Sequence, residues 1–184
     1  MPTTRVQALA ISSEFVEDRL ITHGFDKNIA GADFALAVKA IVAMFKTGRG
    51  LFISGEAGCG KTRLLFALKS WLNKSSPLWF YCKDGEDIAR LRELFSYHPE
   101  VANVYVDDIG SEEIIKEYGN TIDVVGDFVQ MYHYRGKGRF FASTNLNSKS
   151  LNDLYGMRTL DRILEMCVVL KMNGATKRER IVIS

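Results

Sequence analysis

The chain has 184 residues, with 24 Lys and Arg against 22 Asp and Glu, and a formal net charge of +2. This near-balance argues against a protein held on nucleic acid by bulk charge alone, and 47% hydrophobic content excludes a disordered chain. Three widely spaced cysteines make neither a disulfide framework nor a zinc site, and no secretory leader or membrane-spanning apolar stretch is recognisable. These features predict a cytoplasmic protein with one main domain.

The hydrophobic pattern predicts helices and strands that alternate along most of the chain. Residues 1–30 form a weakly periodic lead in which we expect short helices, and residues 31–184 are predicted to form one domain. Its helices are predicted at 32–45, 61–73, 86–95, 112–134 (interrupted at 119–120) and 148–165. Its strands are predicted at 51–54, 78–82, 101–106, 139–143 and 167–172, with 179–183 as the return strand of a short C-terminal β-hairpin. This alternation predicts an α/β fold with a five-stranded, mostly parallel sheet and helices on both faces.

A complete G-x-x-x-x-G-K-[ST] phosphate-loop pattern follows the first predicted strand and precedes a predicted helix. It consists of Gly55, Glu56, Ala57, Gly58, Cys59, Gly60, Lys61 and Thr62, and Arg63 follows it. Glycines let backbone N–H groups turn toward phosphate oxygens, and the helix start adds further N–H donors. We therefore expect 55–63 to bind a nucleotide, with Lys61 at the β- and γ-phosphates and Thr62 on Mg²⁺. Cys59 is interpreted as a small residue at a variable loop position rather than a redox switch.

Polar residues also end two later strands, at the sheet edge where the phosphate loop is expected. Asp107 is predicted to hold the Mg²⁺ shell and Asp108 to polarise the attacking water, with the reverse assignment open and Glu112 as the next candidate base. Asn145, at the tip of a strand inserted between the phosphate-loop strand and the acidic strand, is predicted to contact the γ-phosphate. Because the sequence contains no N-K-x-D guanine-reading motif, ATP is the favoured nucleotide.

A pair of arginines lies on the last predicted helix. Arg158 and Arg162 are four residues apart and share one face, opposite an apolar face predicted from Met157, Leu160 and Leu164. Arginines on an exposed face are commonly just solvated charge. Arginine also stabilises transferred charge in a neighbouring subunit of many NTPases, so this pair is a candidate for catalysis in trans.

The order of these motifs resembles that of the AAA+ ATPases of the DnaC/DnaI/IstB group, which are replicative helicase loaders and transposition helper ATPases. The segments that carry the resemblance are 55–62, 106–112, 143–146 and 155–162, within about residues 30–172. The resemblance implies a P-loop NTPase in which nucleotide and Mg²⁺ bind at Lys61, Thr62, Asp107 and Asp108. It also implies that Asn145 is the first sensor and that Arg162, with Arg158 second, is the arginine finger.

By the same resemblance, the chain is expected to bind and hydrolyse ATP as an oligomeric accessory protein of DNA replication or transposition. Self-association, DNA, and a replicative helicase or transposase are the implied partners. The sequence departs from the group's pattern in three respects. Asp108 stands where most AAA+ proteins have glutamate, which implies slow hydrolysis. Only about 30 residues precede the domain, and the chain stops soon after the fifth strand, which predicts an AAA+ core without a helical lid.

Two other functions stay open. A small-molecule or nucleotide kinase of the P-loop class needs a lid and substrate-binding arginines, for which Arg90 and Arg92 are available. A nucleotide switch would bind ATP and a partner with little turnover. Basic clusters at 135–139 and 177–180 are interpreted as solvated charge that flanks strands, so DNA binding is implied by the resemblance and not by composition.

Overall fold

The structure, a computed structural model, describes residues 11–72, 78–81, 93, 103–112, 115–117 and 120–174. The helices in these residues are α1 (Ser13–Thr22), α2 (Lys27–Ala30), α3 (Asp33–Thr47), α4 (Lys61–Leu72), α5 (Val124–Arg135) and α6 (Ser148–Met166). The strands are β1 (Gly50–Gly55), β2 (Leu78–Tyr81), β3 (Asn103–Ile109), β4 (Ile115–Glu117), β5 (Asn120–Ile122), β6 (Arg139–Thr144) and β7 (Cys167–Met172). None of the described helices combines the length and apolarity needed to cross a membrane.

The main sheet has the strand order β2-β3-β6-β1-β7, and every pair in it is parallel. The predicted α/β class with a parallel sheet is therefore confirmed. Strand β6 lies between β1 and β3, as predicted for the strand that carries Asn145. Ser54 pairs with Thr144, and Thr144 pairs with Ile109, so β1, β6 and β3 end at the same edge of the sheet. This register brings the phosphate loop and the two polar strand ends together.

Helices cover both faces of this sheet, because the central strands carry apolar side chains on both sides. Leu51 and Ile53 of β1 point into a core with α1, α3 and α4, whereas Phe52 between them points into a second core with α5 and α6. Tyr105 and Phe141 stack in the first core with ring centroids 4.5 Å apart. Burying each such side chain stabilises the fold by about 1.5–3 kcal/mol. The strands that carry the site are therefore firmly held by the two cores.

The predicted short helices of the N-terminal lead correspond to α1 and α2, and the first ten residues lie outside the described residues. Ser12 caps α1, since its hydroxyl oxygen accepts a hydrogen bond from the Phe15 N–H at 3.1 Å. Val16 and Leu20, one helical turn apart, are fully buried against the first core. Helix α1 therefore packs on α3 and α4.

The helix predicted over 112–134 is wrong in its first half. Strands β4 and β5 form an antiparallel hairpin in which Ile115 pairs with Ile122 and Glu117 with Asn120, and α5 begins only at Val124. The segment is rich in β-branched residues, which favour strands. Asp123 then caps α5, because its Oδ1 accepts a hydrogen bond from the Gly126 N–H at 2.7 Å.

Two other predicted elements lie wholly or mostly outside the described residues, and a third, the last helix, needs a correction. The predicted return strand at 179–183 and, apart from Glu93, the predicted helix at 86–95 lie outside the described residues. The helix predicted at 148–165 is present, but it is broken at Gly156, where φ is 77° and ψ is 160°. The left-handed φ is readily adopted only by glycine, so the sequence favours a break here.

Candidate nucleotide-binding site

The phosphate loop connects the end of β1 to the start of α4, as the sequence predicts. Gly58 and Gly60 have φ values of 87° and 104°, a region that other residues rarely adopt. A Cβ on Gly55 would lie 2.4 Å from the backbone oxygen of Met172, so this position has no room for a side chain. The positive φ values explain the glycines at 58 and 60, and the close approach of the Met172 backbone explains the glycine at 55. Cys59, interpreted from the sequence as a small residue at a variable loop position, is buried within the loop.

Lys61 points back across the phosphate loop. Its Nζ donates hydrogen bonds to the Gly55 and Glu56 carbonyl oxygens at 2.8 and 2.9 Å, and to Asn145 Oδ1 at 2.7 Å. The side chain is 4% exposed. These three oxygens use all three ammonium protons, so a phosphate that binds Lys61 must replace at least one of them. Asn145 is the candidate for replacement because it belongs to another strand.

Asp108 is linked to Lys61 through Asn145. The Asn145 Nδ2 donates to Asp108 Oδ1 at 3.0 Å, and the Asp108 N–H donates to Ser143 Oγ at 3.0 Å. The backbone φ of Asp108 is 59°, and the β3–β6 register shifts between Val106 and Ile109. Aspartate tolerates this left-handed conformation better than most residues. The structure thus brings together Lys61, Asn145 and Asp108, in that hydrogen-bonded order.

Asp107 lies deeper, beneath the loop, and is 2% exposed. It accepts hydrogen bonds from the hydroxyls of Ser143 and Thr62. Burial raises the pKa of Asp107, and the nearby charge of Asp108 adds to this, against the opposing effect of the two hydroxyls and of Lys61. Sequence reasoning missed Ser143; its only signal is its position on the sensor strand, two residues before Asn145.

The donor set fits Mg²⁺. Mg²⁺ in nucleotide sites is held by one or two protein oxygens together with phosphate oxygens and water. Thr62 and Asp107 can supply two such oxygens, because the Thr62 hydroxyl is hydrogen-bonded to the buried Asp107 carboxylate. In the part of the chain that the structure describes, no cluster of three or more His, Cys, Asp or Glu side chains could hold a metal ion by itself. The pair is therefore suited to a metal that arrives with phosphates.

An open cleft of about 640 Å³ lies over the loop. It is lined by Ala57, Gly58, Gly60, Lys61, Thr62, Arg63, Phe66, Asp108 and Asn145. The Nε of Arg63 donates to the Gly24 carbonyl oxygen at 3.0 Å, which ties the cleft wall to the turn after α1. Phe66, which sequence reasoning missed, is 40% exposed and offers the wall an aromatic surface.

The two arginines are not part of this cleft. Arg162 lies near the end of α6, and α6 leads into Cys167, which pairs with Gly50 at the start of β1. The phosphate loop follows the other end of β1, roughly 16 Å away at about 3.3 Å per residue. Arg162 Nη1 donates to Glu165 Oε2 at 2.6 Å, and His133 Nε2 lies 2.8 Å from the same oxygen. Arg158 is exposed.

The apolar face predicted opposite the arginines is confirmed only for Leu160, which packs against the second core. Met157 and Leu164 are 59% and 44% exposed, whereas Thr159 and Ile163 are the buried residues of this segment. Thr159 and Ile163, four residues apart, define the buried side of this segment, so a face built from Met157, Leu160 and Leu164 lies to one side of it. The two arginines still lie one turn apart, as predicted.

Glu112 and the basic turn at 135–139 are both engaged in contacts within the chain. The Glu112 carboxylate accepts hydrogen bonds from the Gly110 N–H at 2.8 Å and from the Tyr155 hydroxyl, and burial raises its pKa. It does not line the cleft, which disfavours it as a base. In the basic turn, the Arg139 guanidinium lies over the Phe45 ring, 4.9 Å from its centroid. The predicted basic cluster at 177–180 lies outside the described residues.

The burial of Asp107 leads to a stability prediction. Replacing Asp107 with asparagine removes a buried charge and keeps one hydrogen-bond acceptor, so we expect the melting temperature of the nucleotide-free protein to rise by about 2–4 °C, equivalent to about 1 kcal/mol. Asp108→Asn is the matched control, since Asp108 is only half-buried and should give no such rise. Thermal unfolding followed by circular dichroism measures both variants. A lower melting temperature for Asp107→Asn would contradict this view of the buried carboxylate.

The fold is similar to those of three solved structures, each with 20% sequence identity and a TM-score of 0.57. The match to the DnaC helicase loader covers 77% of this chain and 91% of that one, and the match to DnaI covers 81% and 95%. A protein described as a primosome component, from Streptococcus pyogenes serotype M3, matches over 82% and 85%. No protein-family model matches the sequence, and no match is found among curated proteins. The chain thus has the α/β fold of the DnaC and DnaI helicase loaders.

Proposed function

We propose that this protein binds ATP with Mg²⁺ and hydrolyses it as an AAA+ accessory protein of DNA replication, similar to a helicase loader, or of transposition. The observation that carries the proposal is the hydrogen-bonded series Lys61–Asn145–Asp108 over a phosphate loop, with Thr62 and Asp107 paired beneath it. The shared fold with DnaC and DnaI supports the replication role. A replicative helicase or transposase, DNA and further copies of the chain are the proposed partners, in the cytoplasm.

Each residue of the series has a role that its position supports. Lys61 binds the β- and γ-phosphates once phosphate replaces Asn145 on its ammonium group, and Asn145 then faces the γ-phosphate. Thr62 and Asp107 hold Mg²⁺, which neutralises charge that develops on the phosphates. Asp108 lies at the surface of the cleft, where its carboxylate can orient the attacking water. The backbone N–H groups of 58–63 add donors for the phosphates.

Asp108→Asn is expected to bind ATP with unchanged affinity and to hydrolyse it at least about 100-fold more slowly. Asparagine keeps the Oδ1 that accepts from Asn145 but lacks the negative charge that draws a proton from water. Equilibrium binding of a labelled ATP analogue and a phosphate-release assay measure the two quantities. Hydrolysis at the wild-type rate would show that Asp108 does not act on the water.

The position of Arg162 supports catalysis between subunits. Because Arg162 lies at the sheet end away from its own phosphate loop, it can serve only the nucleotide of another subunit. Assembly in a ring or spiral would place it there, and an arginine in trans is a common device for stabilising a transferred phosphoryl group. The exposed Met157 and Leu164 on the same segment are apolar surface that such a contact would cover.

Hydrolysis measured across protein concentrations tests the proposed function. We expect Mg²⁺-dependent phosphate release whose specific activity rises with protein concentration, in parallel with the molar mass from light scattering, and rises further with single-stranded DNA. The alternatives give different results. Phosphate transfer from ATP to a metabolite by a monomer would establish the kinase, and tight ATP binding without phosphate release would establish the switch. Either result would overturn the proposal.

A further inference from the structure

We propose that the hydrogen bond between Tyr155 and Glu112 couples the nucleotide cleft of one subunit to the arginine that this subunit presents to its neighbour. Tyr155 is thereby a positioning residue, since it does not line the cleft. The inference rests on the proposed function, since it concerns how Arg162 is presented. It is supported by the hydrogen bonds of the turn that follows Asp108, by the contacts of this turn with α6, and by the break in α6 at Gly156.

The first observation is that Glu112 is fixed to the turn that follows the two acidic residues. Its Oε2 accepts from the Gly110 N–H at 2.8 Å, and the hydroxyl of the adjacent Ser111 donates to the Asp108 carbonyl oxygen at 2.7 Å. The Ser111 N–H bonds the same carbonyl oxygen at 3.0 Å. A displacement of Asp108 therefore carries Glu112 with it.

The second observation is that this turn is joined to the first half of α6. The Tyr155 hydroxyl donates to Glu112 Oε1, so both oxygens of the half-buried carboxylate are engaged. The turn also packs closely on this helix and on the residue that precedes its cap: a Cβ on Gly110 would lie 3.8 Å from Leu154 Cδ2 in α6 and 2.3 Å from Leu146 Cδ1 before it. Hydrogen bond and packing together make the acidic turn and residues 146–155 one unit.

The third observation is the break in α6 directly after Tyr155. Gly156 has a φ of 77°, and a Cβ built on it meets nothing within 4 Å, so crowding does not enforce the break. Residues 157–166 beyond it form a separate helical segment that carries Arg162 and is held to the core by Thr159 and Ile163. Tyr155 thus holds in place the end of the first helical segment, after which residues 157–166, here called the arginine segment, begin.

A continuous series of contacts therefore runs from the phosphate loop to this break. It passes from Lys61 to Asn145, then to Asp108, through the turn to Glu112, and on to Tyr155. A phosphate that replaces Asn145 on Lys61 acts on the first link of the series. Through the last link it biases the orientation of the arginine segment, so each subunit offers its arginine according to the state of its own nucleotide site.

Tyr155→Phe tests the coupling because it removes the hydroxyl and keeps the ring. We expect unchanged ATP affinity and a fall in the hydrolysis rate of about 5- to 150-fold, the usual range of a coupling between sites. Ser70→Ala is the control for the loss of one hydroxyl, since the exposed Ser70 hydroxyl pairs with His23 and does not line the cleft, and this variant should hydrolyse ATP at the wild-type rate. Wild-type hydrolysis by Tyr155→Phe would overturn the proposal.

Mixtures of variants show whether Tyr155 acts on the nucleotide cleft of its own subunit or on the arginine that this subunit presents to its neighbour. Tyr155→Phe mixed with Asp108→Asn should regain activity, because the first supplies a cleft that can hydrolyse ATP and the second, which binds ATP, supplies a well-presented arginine. Tyr155→Phe mixed with Arg162→Ala should stay inactive, because no subunit then presents its arginine properly. The reverse pattern would show that Tyr155 serves its own cleft, which contradicts the proposal.

Hydrogen–deuterium exchange separates this inference from the proposed function. Addition of a non-hydrolysable ATP analogue should change the exchange of residues 157–166 in the wild type and not in Tyr155→Phe. An equal change in both proteins, or none in the wild type despite bound analogue, would overturn the coupling whatever the ATPase result. Hydrolysis at the wild-type rate by Arg162→Ala would instead refute the arginine assignment of the proposed function, and this exchange result would still stand.

Discussion

Arg162→Ala is expected to lower the rate of ATP hydrolysis by about 10³–10⁵-fold and to leave the affinity for ATP unchanged, the effect typical of a lost arginine finger. The guanidinium lies at the sheet end away from its own cleft, so its removal leaves the local site intact. Its partner Glu165 is 53% exposed, so losing this surface ion pair should have little effect on stability. A phosphate-release assay at high protein concentration and equilibrium ATP binding measure the two effects.

Arg158→Ala is the matched comparison for this prediction. Arg158 is one helical turn from Arg162 and carries the same charge, but it is more exposed. We expect a much smaller loss of activity, because the ion pair with Glu165 holds the Arg162 side chain in place for a neighbour. If Arg158→Ala abolished hydrolysis while Arg162→Ala did not, the arginine finger would be Arg158 and not Arg162.

Lys61→Ala is expected to weaken ATP binding by about 10- to 150-fold, since each charged hydrogen bond to phosphate contributes about 1.5–3 kcal/mol. Hydrolysis should fall with it. The variant should still fold, because Lys61 lines an open cleft from which water can enter the space that its side chain leaves. Calorimetric titration with a non-hydrolysable analogue gives the affinity, and circular dichroism confirms the fold.

Lys46→Ala serves as the control for Lys61→Ala. It removes the same charge from the exposed last turn of α3, away from the cleft. Its ATP affinity should match the wild type. If a folded Lys61→Ala protein bound ATP as tightly as Lys46→Ala does, the phosphate loop would not be the ATP-binding site.

The sequence predicts the parts of the site that depend on local pattern. The phosphate loop needs glycines at fixed spacing between a strand and a helix, and the polar residues Asp107, Asp108 and Asn145 follow apolar strands directly. In a parallel sheet such strand ends meet at one edge, so their proximity could be predicted without coordinates. The structure bears out this proximity through the hydrogen bonds of Asn145 with Lys61 and Asp108.

What the sequence did not predict depends on single backbone conformations and on contacts between distant residues. The helix expected at 115–122 is a hairpin, because strand pairing overrides a weak helical period. The buried side of the second half of α6 is defined by Thr159 and Ile163, whereas Met157 and Leu164 of the predicted apolar face are exposed. The roles of Ser143 and Tyr155 come from bonds to Asp107 and Glu112, which lie 36 and 43 residues away, and no local pattern marks such partners.

A mixing experiment with Lys61→Ala and Arg162→Ala tests most directly the claim that two subunits build each active site. Each variant alone should be nearly inactive, the first because it lacks the cation that binds the phosphates and the second because it supplies no arginine. Mixed at equal concentration, they should regain a substantial fraction of the wild-type rate, since an intact cleft can then meet an intact arginine. Activity no greater than the sum of the separate variants, in a mixture shown by light scattering to be oligomeric, would contradict catalysis between subunits.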